Sequence, residues 1–288
     1  MNHRSIRIKT LITIFSILTV GLEYGSYYFL DTLYIPLLVS LVVNLIFAHI
    51  YLETSLTYLS FHLQASLTGI LSAAATFVIY YYQTGHLLIY NNKLPLLVLL
   101  NWLVPLCYGI LRNFMDRGPR FVQFKAYFFR TSIIFSLYYL YFFVHHYFLS
   151  PTGFPKSASL VDKPFIPFLS TATYIEDAIY LGQPLDILIL YLIKSILLFV
   201  PIGFYASLLL KEASRIYLVL LALLLPPIPV LVSYLRFGTY TIDAYIYHLI
   251  GFVLGVLLYQ FLNHLSNRCL QSDFLADRSK YSFFNYYY

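Results

Sequence analysis

A series of apolar runs, each about twenty residues long, constrains this chain more than any other feature. A helix of about twenty apolar residues crosses the hydrocarbon core of a bilayer. Lipid offers no water to pair with backbone groups, so each crossing run must be helical. The composition agrees, because 60% of the 288 residues are hydrophobic and only 10% are charged. The sequence therefore predicts an all-α, polytopic membrane protein.

Eight runs meet this length requirement. The predicted spans are residues 11–30, 33–52, 61–82, 94–111, 126–149, 187–210, 216–235 and 242–265. The first run is interpreted as an uncleaved span. It is too long for the apolar region of a signal peptide, and it carries Glu23 and Tyr24 where a cleavage site needs small residues.

The positions of lysine and arginine predict the orientation of these spans. Most of the 18 basic residues lie near the N-terminus, in the loops after the fourth and sixth spans, and in the C-terminal tail. With eight spans these segments share one side, so both termini are expected in the cytoplasm. The net charge of +6 then indicates orientation and attraction to anionic inner-leaflet lipid. Nucleic acid is not an expected partner, because the basic residues flank spans.

The loop between the fifth and sixth spans, residues 150–186, is too long for a simple turn and contains five prolines. On the predicted orientation it is external, and it is a candidate functional loop. Thr173 and Glu176 have the spacing of a capping box, which indicates a helix over 174–181 lying on the outer membrane surface. An irregular, proline-rich connector is the alternative.

The strongly basic fourth loop divides the chain into a four-span region, 1–124, and a second four-span region, 125–265, followed by a tail, 266–288. No internal repeat is visible, which gives no support to an inverted-repeat transporter. Residues 281–288 include six aromatics. They either dock at the membrane interface or form a disordered tail.

Ionisable side chains inside spans are costly, so each is a candidate for function. On the predicted threading, five of them fall in the outer half of the bilayer or at its outer edge: Glu23, Lys194, Arg236, Asp243 and His248. This concentration predicts a polar pocket that opens outward, with Lys194 paired to Glu23 or Asp243. The alternative is purely structural: the acid and base neutralise each other, and the histidine bonds a neighbouring helix.

In the eighth span, His248, Gly251 and Gly255 lie on one helical stripe. The two glycines allow a close helix approach, so His248 is expected to point into the bundle. Asp243 lies about 140° away around the helix and is expected to face the external loop or a neighbouring helix.

Known catalytic spacings are missing: there is no metalloprotease helix, glycine-rich phosphate loop or catalytic triad. The two cysteines, Cys107 and Cys269, have neither the number nor the spacing of a zinc site or disulfide framework. We therefore expect free thiols, no metal and no cofactor, and we assign no catalytic residue.

Three stretches within about residues 125–265 resemble the VanZ-like family of bacterial membrane proteins. Residues 164–168 (PFIPF) resemble its IPF element, and 197–204 (LLFVPIGF) its LLFxPxGF element. Residues 241–251 (TIDAYIYHLIG) are similar to its DxDDxxxNxxG pattern, with Asp243 on the central acid and His248 on the asparagine. The matched positions are Pro167, Phe168, Phe199, Pro201, Gly203, Asp243 and Gly251.

The chain also departs from the family pattern. Residues 228–232 (IPVLV) replace the acid and amide of the family's IExxQ element, and Ser195 stands where asparagine is frequent. Thr241 and Ala244 replace two acids of the last element. If those groups perform chemistry in relatives, this chain has lost it.

The resemblance implies a multi-pass protein of the bacterial plasma membrane with a cell-envelope role, associated with resistance to glycopeptide antibiotics such as teicoplanin. It is expected to be non-enzymatic, with membrane lipid and a cell-wall precursor or glycopeptide at the outer face as partners. One alternative is an intramembrane enzyme acting on a lipid-linked wall precursor, with Asp243 and His248 as acid and base. A lipid or ion transporter is the other. Oligomeric state is not predicted.

Overall fold

The computed structural model describes residues 3–29, 34–55, 58–83, 93–115, 124–144, 147–148, 166–211, 214–237 and 241–275. Within these ranges all secondary structure is helical, as predicted. The helices are α1 (His3–Phe29), α2 (Tyr34–Ser55), α3 (Tyr58–Gln83), α4 (Lys93–Met115), α5 (Phe124–Val144), α6 (Leu169–Leu181), α7 (Leu185–Leu209), α8 (Arg215–Leu224), α9 (Pro227–Phe237) and α10 (Ile242–Leu270). Most residues of each predicted span lie in helices, although part of the predicted span 126–149 lies outside the described residues.

Six stretches of the described chain are long and apolar enough to cross a membrane. They are Ile35–Glu53, His62–Ile79, Leu96–Met115, Leu185–Leu209, Arg215–Leu235 and Ile242–Leu270. Among the described residues, the helices of the predicted first and fifth spans, α1 and α5, are not included in these six. The ionisable Glu23 lies in α1, and Lys125 and Arg130 lie near the start of α5. The chain therefore has the character of a multi-pass helical membrane protein.

The chain forms two compact units, one of Met1–Phe142 with Leu275–Tyr288 and the other of Phe143–Phe274. In the first unit, α1 packs on α2 and α3, and α4 packs on the same two helices. Close packing between α3 and α4 depends on Gly69, because a Cβ there would overlap the ring of Trp102. The interior of this unit holds many polar side chains, which are described below.

In the second unit, the closest helix pair is α7 with α10. A Cβ on Gly251 or Gly255 would overlap the backbone carbonyls of Ile196 and Val200 in α7, and one on Gly203 would overlap the carbonyl of Phe252 in α10. The two backbones therefore touch at three glycines. This confirms the close approach predicted from Gly251 and Gly255.

The predicted span 216–235 is interrupted, which the sequence analysis did not anticipate. Helix α8 ends at Leu224 and α9 begins at Pro227. Pro226, Pro227 and Pro229 lack the N–H that would continue the helical hydrogen bonds, so the ladder breaks in the middle of an apolar run. Two bonds brace the break: Leu225 N–H donates to the Leu221 carbonyl at 3.0 Å, and Ile228 N–H to the Leu225 carbonyl at 3.2 Å.

The predicted helix over 174–181 is present, but it begins five residues earlier, at Leu169. The capping role expected of Thr173 is wrong, since its hydroxyl donates to the Leu169 carbonyl inside the helix. Gly182, with a positive φ of 71°, ends the helix. The rest of the predicted external loop before residue 166, and the aromatic tail 281–288, lie outside the described residues.

Candidate functional site

In the second unit, the Asp243 carboxylate bonds the first turn of helix α6. Its Oδ1 accepts the Phe168 N–H at 2.6 Å. Its Oδ2 accepts both the N–H and the hydroxyl of Thr171, at 2.9 Å and 2.7 Å. Asp243 is fully buried, so these bonds replace water at both oxygens. The prediction that Asp243 faces the loop of residues 150–186 is confirmed, because both partners, Phe168 and Thr171, lie within it; the external location of this loop stays a prediction.

Helix α6 needs this acceptor because it has no cap of its own. The residue before it, Phe168, adopts a left-handed φ of 61° and its side chain makes no cap hydrogen bond. The first N–H groups of a helix lack internal partners and carry partial positive charge. Asp243 itself lies in the first turn of α10. Two helix N-termini therefore stabilise its negative charge.

Two tyrosines extend this arrangement. Because the Thr171 hydroxyl already donates to Asp243, the Tyr247 hydroxyl donates to Thr171, over 2.8 Å. The Tyr247 ring also meets the Phe168 ring edge-on, with 6.3 Å between centroids. Tyr191 of α7 bonds Ser195 and lies within electrostatic range of Asp243. The start of α6 is therefore bonded to α10, and α7 approaches the same acid.

His248 is buried one turn further along α10, where it meets the break between α8 and α9. Its Nδ1 lies 3.1 Å from the Pro226 carbonyl and its Nε2 lies 3.0 Å from the Tyr147 hydroxyl. A carbonyl only accepts, so Nδ1 carries the proton, and in the neutral ring Nε2 accepts from Tyr147. The imidazole stacks on Phe199, with centroids 4.5 Å apart.

In the first unit, the fully buried Glu23 carboxyl lies among uncharged donors. Oε1 accepts from the Ser40 hydroxyl at 2.6 Å and the Asn44 amide at 3.2 Å, and Oε2 accepts from the Asn101 amide at 2.9 Å. The Asn44 amide also donates to Asn101 Oδ1 at 2.9 Å. Next to it, the Tyr24 hydroxyl bonds the side chains of Ser72 and Thr76 in α3.

The predicted five-residue cluster is therefore distributed over separate surroundings. Asp243 and His248 belong to the second unit and bond different elements, and Glu23 is bonded inside the first. Lys194 is half-buried in α7, and within the described part of the chain no ion pair joins it to Asp243. The backbone of Arg236 lies in α9, and its side chain is outside the described residues.

Several residues of these sites escaped the sequence analysis. Ser40 and Asn44 lie one turn apart on α2, a spacing that marks a polar face inside an apolar run. Asn101 is a single amide within the apolar run of α4, and nothing in its local sequence distinguishes a packing role from a bonding one. Thr171 and Tyr147 carry no signal in the sequence, because their roles depend on contacts with residues 72 and 101 positions away.

Several of the positions that carry the family resemblance make contacts within the second unit. Phe168 donates its N–H to Asp243, and Phe199 stacks on His248. Gly251 packs against α7, where an added Cβ would lie 2.9 Å from the Cβ of Phe199. Pro201 lies inside α7, and Pro167 is exposed just before α6.

Among the described residues, no three His, Cys, Asp or Glu side chains come together in a way that could hold a metal ion. Comparison with protein-family models, with curated proteins and with solved structures finds no match to this chain.

Proposed function

We propose that this chain is a VanZ-like integral membrane protein of a bacterial plasma membrane. It acts without catalysis at the outer face, in a cell-envelope process that affects susceptibility to teicoplanin-type glycopeptides. Its partners are membrane lipid and a cell-wall precursor or glycopeptide. The observation that carries this proposal is that two of the stretches that resemble the family, 164–168 and 197–204, both contact the third, 241–251.

These contacts bridge long separations in the sequence. Asp243 bonds Phe168 across 75 positions, and His248 stacks on Phe199 across 49. If the similarity of the three short stretches arose by chance, there would be no reason to expect them to contact one another at the buried Asp243 and the buried His248. Their contact supports an interpretation of the three stretches as one functional unit.

The bonding of the two ionisable groups favours a binding role over an enzymatic one. Both oxygens of Asp243 accept from α6, and both nitrogens of His248 have partners in the same unit. A general acid or base must exchange protons with a substrate within hydrogen-bond reach. Both side chains are also buried (0% and 1% exposed), so a substrate would have to displace packed groups to reach either of them.

Helix α6 supplies a surface suited to the membrane interface. Ile175, Ile179 and Tyr180 are 40%, 67% and 82% exposed, and Glu176 is exposed beside them. An amphipathic helix of this kind lies in the headgroup region with its apolar side chains in lipid. Asp243 anchors the start of α6, which supports α6 as the element that meets envelope ligands.

Gene deletion tests the proposed role. In a strain without paralogues, deletion is expected to change both the teicoplanin susceptibility and the amount of labelled teicoplanin bound at the cell surface. Wild type and Asp186→Asn, which alters an exposed carboxyl at the start of α7, are expected to restore both, whereas Asp243→Ala is not. If deletion alters neither quantity, the proposed role is wrong.

The proposed topology has eight spans with both termini in the cytoplasm and α6 outside. Cysteine accessibility tests it, starting from a Cys107→Ser, Cys269→Ser background. Tyr180→Cys is expected to react with a membrane-impermeant maleimide on intact cells. Cys269 kept as the single thiol is expected to react only after permeabilisation. Labelling of both cysteines from outside contradicts the proposed topology.

A further inference from the structure

The first unit contains a buried acid whose surroundings differ from those of the buried Asp243. Glu23 is fully buried, yet its hydrogen-bond partners are an uncharged hydroxyl and two uncharged amides. Asp243, equally buried, instead accepts backbone N–H groups at the start of a helix. Glu23 lies deep within α1, far from either helix end, so no helix dipole stabilises its charge.

No charged side chain of the described residues compensates for Glu23. The neighbours are Ser40 and Asn44 from α2 and Asn101 from α4. The titratable group beside it is the Tyr24 hydroxyl, which bonds Ser72 and Thr76 of α3. Of the ionisable side chains that the structure describes further along α2 and α4, His49 lies against the Tyr108 hydroxyl, and Glu53 pairs with Arg112. Glu53 is about 13 Å beyond Asn44 along the helix axis.

The orientation of the Asn44 and Asn101 amides determines which kind of ligand Glu23 can bind. Asn44 Nδ2 shares its two hydrogens among Glu23, Asn101 and the Ser40 carbonyl, the last at 2.9 Å, and Asn101 Nδ2 also donates to the Leu97 carbonyl at 3.0 Å. Reversing either amide would set oxygen against oxygen, so the N–H groups must face Glu23. A metal cation requires oxygen ligands, but Ser40, Asn44 and Asn101 direct hydrogens at the Glu23 carboxyl. The ligand that suits this site is therefore a proton.

The same geometry specifies where the proton binds. An amide N–H can only donate, so Oε2 must accept from Asn101 in either state of the acid. The Ser40 hydroxyl can reverse from donor to acceptor, and it lies 2.6 Å from Oε1. The proton therefore binds on Oε1 and is shared with Ser40.

We propose that Glu23 is a proton-binding site of the first unit. A proton from solvent forms an O–H bond on Oε1, and the carboxylate becomes a carboxylic acid that donates to Ser40. Release of the proton restores the carboxylate and turns the Ser40 hydroxyl back into a donor. This site lies in the part of the chain that does not resemble the VanZ-like family, and it stands independently of the role proposed for the second unit.

Infrared difference spectroscopy tests this proposal on the full-length protein in lipid nanodiscs, with pH stepped between about 5 and about 9, a range that spans documented buried glutamic acids. The wild type is expected to show a carboxylic-acid C=O band that grows as pH falls. Glu23→Gln is expected to lose the band, and Glu176→Gln to keep it. Identical difference spectra for wild type and Glu23→Gln overturn the proposal, as does removal of the band by Na⁺ at constant pH.

A second variant covers the case in which Glu23→Gln does not fold. Asn101→Leu removes one donor to the carboxylate, so the midpoint of the band is expected to rise by about one pH unit. Asn113→Leu is the matched control: this asparagine is also buried in α4, and its amide atoms have no partner within the described residues. An unchanged midpoint in Asn101→Leu, with Asn113→Leu also unchanged, overturns the proposal.

Discussion

The Asp243 carboxylate caps helix α6 through the backbone N–H of Phe168, 75 residues earlier in the chain and 2.6 Å away. A capping acceptor usually belongs to the residue that precedes the helix. Here Phe168 holds that position with a positive φ and no side-chain acceptor. The start of α6 therefore depends on α10, and a change at Asp243 acts on both helices.

Asp243→Ala is expected to loosen α6. The substitution leaves three partly buried donors of Phe168 and Thr171 without their acceptor, at a cost of about 3 kcal/mol. Hydrogen exchange followed by mass spectrometry is expected to show faster exchange in α6. Asp186→Asn, at an exposed acid in the first turn of α7, is the matched control and leaves this exchange unchanged. Equal exchange in Asp243→Ala and wild type contradicts the capping role.

Gly255→Ala is expected to destabilise the pairing of α7 with α10. The added Cβ overlaps the Val200 carbonyl, so the two backbones must separate, at a cost of about 3 kcal/mol. The thermal unfolding midpoint in detergent is expected to fall. Gly25→Ala, in α1, is the control, because a Cβ there meets nothing within 4 Å. A fall of similar size in Gly25→Ala would show that general helix effects, not packing, explain the loss.

The helices of this protein can be predicted from its sequence because span length and apolar composition are local properties. The start of α6 could not be predicted in this way, because its capping acceptor is the Asp243 carboxylate of another helix, α10. The break between α8 and α9 has a local signal in Pro226, Pro227 and Pro229, but the run around them is so apolar that it was predicted as one span. A hydropathy scale measures the polarity of proline and takes no account of its missing N–H.

The polar sites were predictable only in part. Burial of Glu23, Asp243 and His248 followed from their positions in apolar runs, and each is indeed buried. The sequence did not predict which groups these side chains bond. Attraction between opposite charges suggested Lys194 as the partner of Asp243, yet the backbone N–H groups of α6 occupy that carboxylate. Backbone donors appear in no residue pattern, so only the tertiary structure reveals them.

His248 of α10 is expected to fix the position of the break between α8 and α9 by bonding the Pro226 carbonyl. His248→Ala removes the donor to the Pro226 carbonyl and the partner of the Tyr147 hydroxyl, and unfolding free energy should fall by about 2–3 kcal/mol. Tyr147→Phe removes only the second bond and should cost about 1 kcal/mol. Hydrogen exchange around the break is expected to increase in His248→Ala and not in Tyr147→Phe. Equal increases in both variants contradict this separation of roles.

The ion pair of Lys211 and Asp273 is expected to contribute stability that depends on pH. The hydrogen bond from Lys211 lowers the pKa of Asp273 below its ordinary value of 3.8. A lowered folded-state pKa gives stability that is present above the unfolded value and is lost as pH falls through the folded one. Both side chains are over two-fifths exposed, so solvent limits the gain to about 0.5 kcal/mol. Unfolding midpoints of wild type and Lys211→Met should differ slightly near neutral pH and converge below about pH 3, whereas Asp273→Asn should match Lys211→Met throughout. A difference that persists in acid means that Lys211 stabilises the fold through contacts other than this carboxylate.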